Sequence, residues 1–103
     1  MVKRTRPLAQ ASACAAKLKV LADPTRLAVL EALMNGPMQV GALQLLLGVE
    51  QSLLSHHLQT LRKAGLVETE RDGKALLYQL APRMVRASGA SAIDLGCCLL
   101  SFD

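Results

Sequence analysis

Residues 51–80, "QSLLSHHLQTLRKAGLVETERDGKALLYQL", constrain the fold more than any other stretch of this chain. The first half puts Leu54, His57 or Leu58, and Leu61 on one helical stripe. Ser52, Ser55, His56, Gln59, Arg62 and Lys63 fall on the opposite face, and Gly65 closes the helix as a C-cap. "LVETE" and "KALLYQL" then flank "RDGK", whose Asp72-Gly73 step is a strong hairpin signal. An amphipathic helix running straight into a hairpin is compatible with few architectures.

The upstream segments narrow the choice. "ADPTRLAVLEALMNG" offers Asp23 as N-cap, with Pro24 where a first helical turn tolerates it. Leu27, Leu30, Leu33 and Met34 recur at helical spacing until Gly36-Pro37 stops the run. A short apolar helix follows at about 39 to 47, ended by Gly48 before a tight "GVE" turn. Residues 8–21 are Ala-rich and read as a first helix whose small residues permit close packing. Pro82 ends the hairpin, and a last helix is expected from about Arg83, weakened by Ser88, Gly89, Ser91 and Gly96. Helix, short helix, tight turn, amphipathic helix, hairpin is the order of a winged helix-turn-helix. The expected class is mainly α with a small β-hairpin, one domain over 1–103. Its helix-turn-helix covers about 39–64, its wing about 66–80, and a thiol-bearing segment 93–103.

Composition supports a nucleic-acid partner of a particular kind. The 103 residues carry a formal charge of +4, which favours an anionic partner. There is no Trp, one Tyr78 and one Phe102, too few aromatics for modules that stack single-stranded bases. A chain of this length buries only roughly two-thirds of its unfolded surface, so an obligate partner subunit is plausible. Three cysteines, an odd number, fit a reducing compartment better than a disulfide scaffold. Lys3, Arg4 and Arg6 ahead of Cys14 resemble a lipoprotein leader superficially, but Gln10 and Ser12 break the apolar core that export requires. No stretch reaches the roughly 18 apolar residues of a membrane span. The expected setting is soluble and cytoplasmic, with no membrane partner.

"LADPTRLAVLEAL" together with "SLLSHHLQTLRKAGLVETERDGKALLYQL" closely resembles the ArsR/SmtB family of bacterial metal- and metalloid-sensing repressors, over roughly residues 18 to 80. The resemblance implies a homodimer paired through its first and last helices. It also implies a palindromic double-stranded DNA operator, and release when an inducer binds. Two of the family's best-known sensor sites are missing. Where a Cys-x-Cys type motif often stands, this chain has "PMQVGAL", without a thiol, and the last segment has Asp94 but no histidine. Some arsenic-responsive members place cysteines near the two ends instead, and Cys97 and Cys98 with Cys14 resemble those.

The outward face of the fourth helix has chemistry suited to DNA. Gln51, Ser52, Ser55 and His56 are suited by amide, hydroxyl and imidazole groups to base edges, and Gln59 shares their DNA-binding face. Arg62, Lys63, Arg71 and Lys74 are placed to neutralise phosphates. The plain alternative is a solvated helix face beside a charged hairpin. Leu53 is out of place on such a face, suited either to a thymine methyl or to packing against the turn. His56 and His57 diverge by about 100° on a helix and cannot easily share an ion, so one is expected near DNA and the other packed inside.

Free cysteine commonly behaves as a small buried hydrophobe, and Cys14 alone would read that way. Cys97 and Cys98 are harder to explain as packing, because neighbours on a helix or strand cannot both face one core. Thiolates favour soft ions, and trivalent arsenic or antimony takes three sulfurs in a pyramid. In a dimer joined by its end helices, Cys14 would approach Cys97 and Cys98 of its own or the partner chain. The expectation is therefore a repressor, not an enzyme, that needs no cofactor. Its inducer is As(III) or Sb(III), with other thiophilic metals as further candidates. The rivals are the same repressor sensing redox or sulfide state through Cys97 and Cys98, and a winged-helix module that binds protein instead of DNA.

Overall fold

The carboxylate of Asp23 accepts the backbone N–H groups of Thr25 and Arg26 at 2.9 and 3.0 Å, and this cap starts helix α2, Pro24–Leu33. In the computed structural model, which describes residues 6–85 and 91–102, α2 follows helix α1, Leu8–Leu21. Strand β1, Met38–Gln39, leads into the short helix α3, Val40–Leu47, and then into α4, Gln51–Lys63. The "GVE" turn holds a cap that its sequence gives little hint of. Glu50 accepts the N–H groups of Ser52 and Leu53 at 3.0 and 3.1 Å, closing the start of α4.

Strands β2, Val67–Asp72, and β3, Ala75–Leu80, form the expected hairpin, with Asp72 opposite Ala75. Its turn needs a left-handed residue, and Gly73 supplies it at φ 62°. The wing has a third strand that was not expected: β1 pairs antiparallel with β3, Met38 opposite Tyr78, giving the order β1-β3-β2. The start of the helix-turn-helix is thereby bonded to the wing.

One stripe of α4 builds the core. Leu54, Leu58 and Leu61 are wholly buried, packed with Val29 and Leu30 of α2, Leu43 of α3, and Leu66 and Val67 at the root of the wing. Truncating any of these leucines to Ala would cost about 2–5 kcal/mol through lost transfer energy and the cavity left behind.

The C-terminal segment departs from the expected last helix. After a single 3-10 turn, Pro82–Met84, the described residues from 91 onward form a second hairpin, β4, Ala92–Asp94, and β5, Leu99–Ser101. Ser88 and Gly89 lie outside the described residues. The physical reason is local. Gly96 at φ 86° with its N–H bonded to the Asp94 carboxylate at 2.8 Å makes a turn, and Ile93 and Leu95 bury their side chains in the core. Dimerisation through a pair of end helices is therefore corrected in one respect: α1 has a hairpin beside it where the last helix was expected. No helix among the described residues is long and apolar enough to cross a membrane.

Candidate functional site

Two separate sites emerge, one on α4 and the wing and one between α1 and the C-terminal hairpin. On the first, Gln51, Ser52, Ser55, His56, Gln59, Arg62 and Lys63 are all exposed on α4, and Arg71 and Lys74 are exposed around the wing turn. A cleft of about 450 Å³ between α4 and the wing is lined by Ser55, Gln59, Arg62, Lys63 and Tyr78. The candidate residues thus share one surface, with hydroxyl and amide groups along the helix and cations at its end and on the wing. Leu53 is exposed at the start of the same helix.

The two histidines divide as the helical spacing implies. His56 is exposed, whereas His57 is buried against α2. Arg26 lies 3.2 Å from His57 Nδ1 through its Nη1, and the Asp23 carboxylate lies 3.9 Å from Nε2. Since a guanidinium only donates, Nδ1 accepts and Nε2 carries the proton in the neutral ring. The Nε of Arg26 also donates to the Val20 carbonyl at 2.6 Å, so one side chain ties the end of α1 to α4. Arg26 carried no signal in the sequence beyond its place two residues after Pro24.

Electrostatics reinforce both helix starts. The Arg26 backbone N–H holds the Asp23 carboxyl below the usual 3.8, with the Arg26 charge and the Thr25 N–H adding to it. The Ser52 and Leu53 N–H groups hold Glu50 below the usual 4.5.

At the second site all three cysteines converge within a single chain. Their sulfurs lie within 4.8 Å of one another. Cys14 and Cys97 are joined by a disulfide, with Cα atoms 5.8 Å apart, and Cys98 is free. The free Sγ stands 3.8 Å from that of Cys14 and 4.0 Å from that of Cys97.

Two expectations are corrected here. The odd cysteine count argued against a disulfide, yet the fold pairs two cysteines 83 residues apart, which no count reveals. A redox pair of Cys97 with Cys98 is likewise replaced by Cys97 with Cys14. Adjacent cysteines can both turn toward Cys14 because they sit in the turn between β4 and β5, free of the alternation that a helix or strand imposes. Both are half-buried, and both pack against the core.

Two basic side chains bond to the turn that carries Cys97 and Cys98. Lys17 Nζ donates to the Leu95 carbonyl at 2.9 Å and Arg6 Nη2 to the Cys97 carbonyl at 2.8 Å. Together with Gln10, Cys14, Gly96 and Cys97 they edge an open cleft of about 400 Å³. Neither basic residue was singled out in the sequence as part of a site, because their partners lie 78 and 91 positions away.

Comparison with known proteins agrees with this architecture. The profile described as "Bacterial regulatory protein, arsR family" matches residues 23–69, from the α2 cap into the wing. The Mycobacterium tuberculosis HTH-type transcriptional regulator NmtR is 45% identical over 82 residues, which cover 75% of this chain and 68% of that protein. The crystal structure of the transcriptional repressor BigR from Xylella fastidiosa superposes with a TM-score of 0.69 at 38% identity, over 71% of this chain and 72% of that one. The solution structure of a homodimeric winged helix-turn-helix DNA-binding domain, Mb0332 from Mycobacterium bovis, gives a TM-score of 0.65 at 33% identity, over 79% and 76% of the two chains. Other curated relatives are matched over 50 to 62% of their own length.

Proposed function

The chain belongs to the arsR family of bacterial regulatory proteins, and on that premise we propose a cytoplasmic, dimeric DNA-binding repressor that leaves its operator when As(III) or Sb(III) binds Cys14, Cys97 and Cys98. The observation that carries this reading is the meeting of three sulfurs within 4.8 Å in one chain. A soft trivalent ion that takes three sulfurs in a pyramid matches that donor set, once Cys14 and Cys97 are reduced.

DNA binding follows from the outward face of α4. Gln51, Ser52, Ser55, His56 and Gln59 meet base edges in the major groove, while Arg62, Lys63, Arg71 and Lys74 neutralise phosphates. Dimerisation follows from α1, whose Leu8 and Leu18 are 82% and 44% exposed along an alanine-rich helix that a single chain leaves mostly bare. A second copy covering it matches the homodimeric state of the M. bovis domain.

The two sites communicate through packed elements. An ion drawing Cys97 and Cys98 onto Cys14 acts on the middle of α1. The end of α1 is bonded to Arg26, and Arg26 to His57 of α4. A shift of α1 in the dimer thus changes the relative orientation of the two recognition helices. Couplings of this kind are typically about 1–3 kcal/mol.

The test follows the anisotropy of a labelled duplex, selected from a random pool by the reduced protein, as arsenite is added. The parent releases the duplex. Cys97→Ser and Cys98→Ser bind it normally and no longer release it, since a hydroxyl is a hard, weak ligand for a soft ion. Cys14→Ser separates a three-sulfur site, which loses most of its response, from a two-sulfur site, which keeps it. A Cys97/Cys98 double variant that releases DNA at the parent's arsenite concentration overturns the reading.

The Cys14–Cys97 disulfide favours a second reading, in which an oxidant takes two hydrogens from this pair and the bond itself triggers release. A peroxide arm of the same titration distinguishes the two.

A further inference from the structure

In the reduced protein no covalent bond fastens the turn bearing Cys97 and Cys98 to α1. The strands on either side of that turn are fixed by burial: Ile93 and Leu95 are in the core, and Leu100 and Phe102 pack against it. The turn itself, residues 95–98, is gripped from α1 and the residue before its cap. Lys17 lies one helical turn after Cys14, on the same face, and its ammonium reaches the Leu95 carbonyl at 2.9 Å. Arg6 reaches the Cys97 carbonyl at 2.8 Å. The two bonds bracket Gly96, where a Cβ would stand 3.8 Å from Lys17 Nζ and where φ is 86°. Glycine thus makes the turn and leaves the ammonium room beside it.

We propose that Lys17, assisted by Arg6, is a positioning residue for the three-sulfur site, holding the turn so that Cys97 and Cys98 face Cys14 when all three are reduced. The ligand assigned to the site rests on the reading above; the positioning does not. A charged donor on a carbonyl is among the stronger hydrogen bonds, and one lost in a part-buried setting shifts an equilibrium on the order of tenfold.

The experiment measures how closely the sulfurs are held, without any metalloid. Protein is equilibrated in glutathione redox buffers, and the fraction carrying the Cys14–Cys97 bond is read by alkylation and mass spectrometry. This yields the effective concentration of one thiol at the other. Lys17→Met lowers it on the order of tenfold, Lys17→Arg restores most of it, and Arg6→Gln lowers it less. Thermal melts of the fully reduced variants fall by no more than the several degrees that one such hydrogen bond accounts for, separating positioning from general loss of stability. Arg6 is exposed and precedes α1, so Arg6→Gln reports on the turn even if Lys17→Met folds poorly.

Arsenic retained after gel filtration, measured by elemental mass spectrometry, falls in the same order as the effective concentration. An unchanged effective concentration in both Lys17→Met and Arg6→Gln overturns the proposal. If the effective concentration falls as stated but the reduced parent retains no arsenic, the positioning stands and the metalloid reading fails.

Discussion

Joining Cys14 to Cys97 closes a loop across most of the chain, and the stability this confers is open to measurement. The two residues are 83 positions apart. In the chain-entropy treatment a loop of that size removes about 15 cal/mol/K from the unfolded ensemble, about 4.5 kcal/mol at 25 °C, and measured disulfides typically deliver about 2–4 kcal/mol. In a domain of this size 1 kcal/mol moves the melting temperature by about 4–8 °C. The oxidised protein should therefore melt at least about 8 °C above the reduced one.

The assay is a far-ultraviolet circular dichroism melt of the same preparation with and without a phosphine reductant. Protomer concentration is held fixed, because dimer stability depends on it. Cys98→Ser keeps the difference and Cys14→Ser abolishes it. Oxidised and reduced forms that melt together would refute the reasoning. So would a redox-dependent shift that persists in Cys14→Ser.

On the DNA face, replacing Arg62 and Lys74 together by Ala should weaken binding to every duplex and flatten the dependence of affinity on salt, because fewer counterions are released. Affinities measured across a salt series check this, and a parental slope in the double variant would misplace the docking face. Acid should destabilise the fold through Asp23 and Glu50. Both carboxyls are held below their usual 3.8 and 4.5 by backbone N–H groups, so their stabilisation is present above those values and is lost as pH falls through the lower folded ones. Glu50→Gln should flatten the fall in stability below about pH 4.5, read by urea unfolding at stepped pH.

The elements that were legible in the sequence are those whose signals are local. Asp23-Pro24 announces α2, Asp72-Gly73 the wing turn, and the leucine stripe of α4 its buried face; each is a pattern within a few residues. The outward chemistry of α4 was legible for the same reason, since a helix face is fixed by spacing alone. What was missed depends on distant partners. The pairing of Met38 with Tyr78 joins segments 40 residues apart, and nothing in "PMQV" marks a strand. Lys17 and Arg6 gave no signal of a site, because the carbonyls they hold in the turn at Leu95–Cys98 lie 78 and 91 positions away. The last helix was misjudged because apolar residues at 92–100 suit either period, and the Asp94–Gly96 turn decides for the hairpin. Convergence of the three thiols was anticipated, but from the family resemblance and with a helix in place of the turn that allows it.

The central claim is that three cysteines of one chain hold the inducer. X-ray absorption at the arsenic edge, on reduced protein loaded with one arsenite per protomer and freed from DNA, counts the sulfurs directly. The account predicts three sulfurs around each arsenic in the parent, and two in Cys14→Ser with release from DNA largely lost. A shell dominated by oxygen, or a sulfur count unchanged by Cys97→Ser, would contradict it.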